Sequence, residues 1–346
     1  MPSLLEVDHL NIDARKDDGS LLPIVKDVSF HVGRGEVVAI IGESGSGKTT
    51  IGLSALGYTK PGLEFSGGEV RLEGRDVISM TLEEKRELRG QKVAYLAQSA
   101  AATFNPSLTI NEQVTESAVL HGQLSQKEAE ERAESLYRVL ELPEPEILGN
   151  RYPHQVSGGQ LQRLMAAMAL CGKPELLILD EPTTALDVTT QIEVLKAFKA
   201  VIKQEDAAAI YVTHDLSVVA QIADRIVVLY AGDIREQGSA EQIINRPSDD
   251  YTRRLMTAVR PPPSIGQGDK ILRGDQHEVP ALEVKNITAG YGKRTDGSTV
   301  VTVLRNVDVS IKRGNTVGII GESGCGKSTL GRIVAGVHQP SKGEVY

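Results

Sequence analysis

The fold of this 346-residue chain is decided by one stretch, Val37-Val38-Ala39-Ile40-Ile41-Gly42-Glu43-Ser44-Gly45-Ser46-Gly47-Lys48-Thr49-Thr50. An apolar, β-branched run leads into a glycine-rich turn that ends in Lys-Thr and opens into a helical pattern. This is the P-loop spacing G-x-x-x-x-G-K-[ST], with a strand before it and a helix after it, as the motif requires. Its backbone N–H groups and the helix N-terminus can face an anion. The stretch therefore predicts a nucleoside-triphosphate site at Gly42–Thr50, where Lys48 reaches the β- and γ-phosphates and Thr49 ligates Mg²⁺.

The composition is that of an ordinary soluble globular protein, with 40% hydrophobic and 24% charged residues. A net charge of −8, the lack of Trp and only 4% aromatic residues argue against a nucleic-acid-binding surface. Two cysteines, Cys171 and Cys325, are too few for a disulfide framework or a cysteine-rich metal site, which favours a reducing cytoplasmic compartment. The first residues do not form a signal-peptide pattern, and no run approaches the roughly 18 apolar residues of a membrane span. We expect any membrane association to be peripheral.

The sequence contains an internal repeat. Residues 319–324 repeat residues 40–45 letter for letter, and they belong to a second P-loop, Gly321-Glu322-Ser323-Gly324-Cys325-Gly326-Lys327-Ser328-Thr329. Between the two copies lies a stretch rich in Pro, Gly and Ser, which is typical of a linker. We predict a first unit over residues 1–260, a linker over 261–280 and the N-terminal fragment of a second copy over 281–346. That fragment has too little chain to build the sheet that its P-loop strand should join.

Short apolar runs alternate with helical patterns along the first unit. The runs before the P-loop predict a small antiparallel layer, and the run at residues 67–72 predicts a further strand. Residues from about 99 to 170 are helical and charged, which indicates a helical subdomain inserted between strands. Leu176–Asp180 is an apolar run that ends in a carboxylate, Asp180, and a second carboxylate, Glu181, follows it. An apolar run of this kind is expected of a central parallel strand covered on both faces. The alternation that follows predicts a doubly wound α/β core.

Further motifs, in the right order, make the chain resemble the ATP-binding cassette (ABC) ATPases. Val156-Ser157-Gly158-Gly159-Gln160 is similar to their LSGGQ signature, with Val in place of Leu. Leu176–Asp180 resembles their Walker B strand, and Glu181 follows it directly. Gln98 stands where their Q-loop is expected, Thr184-Ala185-Leu186-Asp187 resembles their D-loop, and Thr213-His214-Asp215 resembles their switch histidine. The expected fold is thus a P-loop NTPase core of ABC type with an antiparallel β subdomain, a helical insert and the start of a second copy.

The resemblance implies a role for each motif. ATP with Mg²⁺ is the expected ligand, and Thr49, Gln98 and Asp180 are the expected metal-binding residues. Glu181 is the candidate general base, and His214 would contact the γ-phosphate. The signature residues Val156–Gln160 would act in trans, because Ser157 and Gly159 of one cassette cap the γ-phosphate that a second cassette holds. A second cassette is therefore an expected partner, supplied by the same polypeptide or by another subunit.

One family feature differs between the two copies. An aromatic residue before the second strand normally stacks on adenine in these ATPases. Tyr291 fits this position in the second copy, whereas its counterpart in the first copy is Ala14. Tyr291 could instead be an ordinary surface tyrosine. If stacking is its role, the first site should select less strongly for adenine.

Finer features point to a subfamily. Residues 103–110, Thr-Phe-Asn-Pro-Ser-Leu-Thr-Ile, are similar to a run in the oligopeptide, dipeptide and nickel importer ATPases. Residues 247–255 resemble their H-P-Y-T-x-x-L element without the His-Pro, and no cysteines follow that could hold the iron–sulfur cluster of some members. This resemblance implies an importer subunit for peptides or related small solutes, peripheral on the inner face of the cell membrane. Its partners would be integral membrane permeases and, indirectly, a solute-binding protein, with no nucleic acid.

Two alternatives stay open. One is an ABC ATPase attached to a cytosolic enzyme complex, as in phosphonate cleavage. The other is a non-transport ABC ATPase of another kind. Co-purification with membrane permeases or with a soluble enzyme would separate transport from the first alternative.

Overall fold

The structure is a computed structural model that describes residues 3–183, 188–259, 280–293, 299–321 and 325–346. The chain forms two compact units, the first from residues 1–186 and 191–261 and the second from residues 187–190 and 262–346. Residues 261–279 of the predicted linker lie outside the described ranges.

The first unit alternates strands and helices. Its strands are β1 (Ser3–Arg15), β2 (Leu21–Gly33), β3 (Val37–Gly42), β4 (Leu63–Leu72), β5 (Arg75–Asp76), β6 (Val93–Leu96), β7 (Leu176–Asp180), β8 (Ala208–Thr213), β9 (Arg225–Tyr230) and β10 (Asp233–Ser239). Its helices are α1 (Lys48–Ser54), α2 (Leu82–Gln91), α3 (Ala100–Thr103), α4 (Ile110–Leu120), α5 (Gln126–Val139), α6 (Pro145–Leu148), α7 (Gly158–Cys171), α8 (Val188–Gln204), α9 (Leu216–Ile222), α10 (Ala240–Asn245) and α11 (Asp250–Val259).

The central sheet has six strands in the order β10-β9-β3-β8-β7-β6. Five of these strands run parallel to one another: β9, β3, β8, β7 and β6. The sixth, β10, pairs antiparallel with β9 at one edge. Every residue of β3, β7 and β8 is buried, because apolar runs of this kind are covered by elements on both faces. A second sheet, in the order β2-β1-β4-β5, is antiparallel. The predicted α/β core with a separate antiparallel layer is confirmed.

Helices α3 to α7 form a helical subdomain inserted between β6 and β7. Capping boxes begin three of its helices, at Thr109, Ser125 and Ser157, each closed by a Glu or Gln three residues later. One apolar cluster runs from this subdomain into the sheet and includes Leu164 of α7 and Leu177 of β7. The helical subdomain is therefore packed on the strands that carry the site.

Within residues 280–346, the described part of the second unit contains three antiparallel strands in the order β12-β11-β13 and one helix. They are β11 (Leu282–Lys293), β12 (Thr299–Ile311), α12 (Lys327–Val334) and β13 (Lys342–Val345). Among the described residues of this unit, the segment 316–321 that corresponds to β3 is assigned to no strand. Ile320 is 94% exposed, whereas its counterpart Ile41 is completely buried. The predicted lack of a sheet around the second P-loop strand agrees with this description.

Candidate functional site

The P-loop follows β3, the strand that lies between β9 and β8. Gly42, Gly45 and Gly47 all have positive φ angles, of 151°, 80° and 98°. A β-carbon at Gly42 would lie 2.1 Å from the carbonyl oxygen of Leu229 in β9. Glycine is therefore required at Gly42 by the close approach of the neighbouring strand as well as by its backbone angle.

Two side chains of the loop prepare it for an anion. The Lys48 ammonium is buried and donates to the carbonyl oxygens of Gly42 and Glu43, at 2.9 and 2.7 Å. Burial lowers its pKa from the ordinary value for a lysine. The Ser46 hydroxyl is also buried, and it has no hydrogen-bond partner among the described residues. A buried lysine, an orphaned hydroxyl and the N-terminus of α1 together fit a phosphate chain.

Asp180, the last residue of β7, is held at both carboxylate oxygens. Thr49 donates from its hydroxyl to Oδ1 at 2.9 Å, and Tyr95 of β6 donates from its hydroxyl to Oδ2 at 2.9 Å. Burial, with the charge of Asp180, raises the pKa of Tyr95 far above its usual range, so the phenol stays protonated and can donate.

The residues at this point fit Mg²⁺. A hydroxyl and a carboxylate are hard oxygen ligands, and Mg²⁺ is commonly held by one or two carboxylates together with substrate phosphates. The parts of the chain that the structure describes contain no group of three or more His, Cys, Asp and Glu side chains suited to a metal. Thr49 and Asp180 are the side chains that could hold such an ion jointly with substrate phosphates.

Glu181 lies beside them in a left-handed backbone conformation, with φ of 49°. That geometry costs a non-glycine residue about 1–3 kcal/mol and is concentrated at functional sites. The Gln98 amide donates to Glu181 Oε2 at 3.0 Å, and His214 Nδ1 lies 2.7 Å from Oε1. The structure thus brings the three predicted residues together. Gln98, predicted as a metal ligand, has its amide nitrogen on Glu181.

These groups line one cleft of about 700 Å³, which lies within the usual size range for small-molecule sites. Its walls are Ile24, Ser44, Gly45, Gly47, Lys48, Thr49, Thr50, Lys60, Leu63, Gln98, Asp180, Glu181 and His214. Most of the predicted nucleotide-binding and catalytic residues are in this set. Ile24, Lys60 and Leu63 were not predicted, because they belong to no sequence motif and only the fold places them near the P-loop.

The signature residues Val156–Gln160 take a different place. Ser157 caps α7 by accepting from the N–H of Gln160, and the Gln160 side chain accepts from the N–H of Ser157. Gly158 is exposed at the start of the helix. All five signature residues are described, and none of them lines the cleft of their own P-loop. Their action in trans stays a prediction.

Two further side chains reach the site from distant elements. Gln162 of α7 is buried and donates to the carbonyl oxygen of Pro182, directly after Glu181. Tyr251 of α11 accepts a hydrogen bond from the N–H of Glu43 at 3.3 Å. The predicted D-loop, residues 184–187, lies outside the described residues. Sequence reasoning did not assign Gln162 or Tyr251, although both lie in or beside motifs that it singled out.

The second unit repeats the P-loop geometry locally. Lys327 Nζ donates to the carbonyl oxygen of Gly321 at 2.6 Å, and φ is 156° at Gly321 and 105° at Gly326. Residues 322–324 of the predicted loop lie outside the described residues, while Cys325 and Ser328 are exposed. The hydroxyl of Tyr291 lies 3.0 Å from that of Thr329.

The strand registers support the equivalence of Ala14 and Tyr291. Ala14 pairs with Leu22 in the first unit, and Tyr291 pairs with Val301 in the second. Leu22 and Val301 are themselves equivalent by the repeat of the P-loops. The first unit therefore has an alanine where the second has a tyrosine.

Comparison with known proteins identifies a matching family and several proteins that are similar to this chain. The model of the ABC transporter family matches residues 25–184 and 304–346. The chain is 36% identical to the glutathione import ATP-binding protein GsiA of Escherichia coli K12 over 379 residues, which covers 99% of this chain and 60% of that protein. GsiA of Salmonella typhimurium is also 36% identical, over 375 residues. The chain thus spans about 60% of the length of the curated relatives it matches.

Solved structures with the same fold include two cassettes. The ATP-binding cassette MJ0796, in a dimeric post-hydrolysis state with ADP and Pi, aligns with a TM-score of 0.60 and 26% identity. That alignment covers 68% of this chain and 98% of the cassette. The protein cbiO1 of Clostridium perfringens, part of the ABC transporter complex cbiONQ, aligns with a TM-score of 0.62 and 25% identity over 75% of this chain and 96% of its own. Within the described residues, we find no helix with the length and apolar character to cross a bilayer.

Proposed function

The chain belongs to the ABC transporter family, and on that premise we propose that it binds and hydrolyses ATP to energise a bacterial importer of peptides or related small solutes. The observation that carries the proposal is the convergence of one cleft on Lys48, Asp180 and Glu181. A phosphate cradle, a metal-binding carboxylate and a candidate base meet there, and these are the parts that phosphoryl transfer to water requires.

Each side chain has a defined task in this proposal. Lys48 exchanges its backbone acceptors for β- and γ-phosphate oxygens. Thr49 and Asp180 would hold Mg²⁺, which would neutralise charge that develops on the phosphates. Glu181 orients a water and takes its proton, while His214, at hydrogen-bond distance from that carboxylate, contacts the γ-phosphate. Gln98 releases Glu181 when the nucleotide enters.

The first site is half of a composite site. Its P-loop and base belong to one cassette, and we propose that Ser157 and Gly159 of a second cassette complete it over the γ-phosphate. We also propose that residues 281–346 are the first part of a second cassette, joined through the linker 261–280. The segment 316–321, which is assigned to no strand, and the 60% coverage of the GsiA relatives support this organisation.

The solute class and partners follow from the relatives. GsiA is named for glutathione import, and glutathione is a small peptide. We propose a peptide-class solute, integral membrane permeases that dock on the helical subdomain, a solute-binding protein upstream and a location on the inner face of the membrane. Attachment to a cytosolic enzyme complex is the second candidate, because the cassettes of such complexes resemble the same subfamily.

Nucleotide binding tests the first half of the proposal. We expect Lys48→Ala to weaken binding of a fluorescent ATP analogue by tenfold or more, roughly the loss of one or more charge-assisted hydrogen bonds. Titrations should use chains that also carry Lys327→Ala, so that only the first P-loop is reported. Affinity unchanged by Lys48→Ala would contradict the proposed site.

Co-purification tests the second half of the proposal, which concerns transport. Integral membrane proteins recovered with the tagged chain support transport, and a soluble enzyme recovered alone supports the second candidate.

Base selectivity tests the difference between Ala14 and Tyr291. The cleft of the first unit has aliphatic walls near the P-loop, Ile24 and Leu63, and no aromatic ring at Ala14. We expect ATP and GTP to compete for it within about tenfold of each other, and Ala14→Tyr to tighten the binding of ATP by a factor of about five to 100, the worth of one stacked base. Ala14→Leu is the control that adds bulk without a ring. Equal effects of Tyr and Leu would rule out stacking.

A further inference from the structure

Tyr95 contacts the site from a strand that carries no other assigned function. It lies on β6, three residues before Gln98, and pairs with Ile178 in the register of β6 and β7. Its hydroxyl is 2.9 Å from Asp180 Oδ2, across 85 residues of sequence. The ring is half-buried against the apolar cluster beneath the P-loop. Packing of the ring therefore holds the hydroxyl in place next to Asp180.

The two oxygens of Asp180 are treated differently. Oδ1 accepts from Thr49, a residue proposed to turn its own oxygen toward the metal. Oδ2 accepts from Tyr95, which has no such second task. The last torsion of an aspartate is broad, so a carboxylate with only one fixed oxygen can swing about it. The Tyr95 hydroxyl removes that freedom by holding the second oxygen.

We infer that Tyr95 is a positioning residue for the metal: its hydroxyl fixes the Asp180 carboxylate in the orientation that receives Mg²⁺ with the nucleotide. This rests on the proposed function as an Mg²⁺-dependent ATPase. Groups that hydrogen-bond a metal ligand fix its orientation, and their removal commonly costs 10–100-fold in metal affinity. Tyr95 should therefore affect how much Mg²⁺ strengthens nucleotide binding, and should not affect binding of the metal-free nucleotide.

Fluorescence titration with a slowly hydrolysed ATP analogue tests this without measuring turnover. The dissociation constant is measured in Mg²⁺ and in EDTA, and the ratio of the two gives the enhancement by the metal. All chains carry Lys327→Ala to silence the second P-loop. We expect Tyr95→Phe to reduce the enhancement about tenfold while the constant in EDTA stays the same. Tyr137→Phe is the matched control, because it removes a hydroxyl that donates to Asn111 in the helical subdomain, away from the cleft.

A double-substitution cycle makes the test specific. With Asp180→Asn already present, Tyr95→Phe should cause no further loss of enhancement, because the two residues act through one hydrogen bond. Independent, additive losses would overturn the inference, and so would an unchanged enhancement or an equal loss in Mg²⁺ and EDTA. The parent chain separates this from the proposed function. If it binds no nucleotide in either condition, the proposed function fails and the inference fails with it.

Discussion

Replacing Glu181 by glutamine should lower the rate of ATP hydrolysis by about 10²–10⁴-fold, the usual contribution of a positioned general base. Glutamine keeps the size and hydrogen-bonding capacity of the side chain but cannot take a proton from water. The partners of the carboxylate, Gln98 and His214, can still contact the amide. Because neither Lys48 nor Thr49 changes, we expect ATP affinity to stay within about threefold, a difference of well under 1 kcal/mol. Steady-state hydrolysis and nucleotide titration on the same protein separate the two quantities.

The matched control for Glu181→Gln is Glu193→Gln, the same substitution at an exposed position of α8. It should leave both hydrolysis and binding unchanged. If the Glu181→Gln protein hydrolysed ATP at more than about a tenth of the parent rate, a group other than Glu181 would take the proton from water. His214, whose ring nitrogen lies 2.7 Å from Glu181, would then be the first residue to examine.

The core of the fold was predictable because its signals are local. The apolar runs that became β3, β7 and β8 are long enough to be buried on both faces, and the P-loop fixes the order of strand, turn and helix around them. The helix starts at Thr81 and Ser125 also carry local signals, since each capping box lies within four residues of sequence. Where one short window carries both the residue types and the reason for them, sequence reasoning succeeded.

The elements that were missed lack such a window. Strand β10, with the sequence Asp-Ile-Arg-Glu-Gln-Gly-Ser, is mostly polar and forms only because β9 offers it an open edge. Helix α11 is fastened by Asp249, which accepts from the N–H groups of Tyr251 and Thr252, and by Glu236 of β10. Burial raises the pKa of Glu236, but hydrogen bonds from Ser248 and Asp249 outweigh it and hold that pKa below its usual value. None of these partnerships follows from a periodic pattern.

The candidate site divides in the same way. Motif residues such as Lys48, Asp180 and Glu181 could be assigned from the sequence, because their chemistry is tied to a fixed spacing. The contacts of Tyr95 with Asp180 and of Gln162 with Pro182 join residues 85 and 20 positions apart, so only the fold brings them together. The signature raises a further problem, since its proposed ligand belongs to another cassette and one cassette alone does not display the completed site.

The composite site can be tested with one substitution in the signature. Gly158 begins α7, is exposed, and has no atom within 4 Å of the position that a β-carbon would occupy. An aspartate there should fold normally, because a negative charge is favourable at a helix N-terminus. It should nevertheless repel the γ-phosphate held by a second cassette, and we expect hydrolysis to fall about 10²-fold or more. Gly158→Ala, which adds a side chain without charge, is the control.

Mixing two inactive chains then distinguishes a site completed in trans from one completed in cis. Glu181→Gln chains keep an intact signature, and Gly158→Asp chains keep an intact base. If two chains build each site, half of the random pairs contain one complete site out of two, so an equimolar mixture should recover up to about a quarter of the parent rate. The recovered rate should also rise more steeply than linearly with protein concentration, because the active species is a pair. If each site were complete within one chain, the mixture would stay as inactive as its components at every concentration.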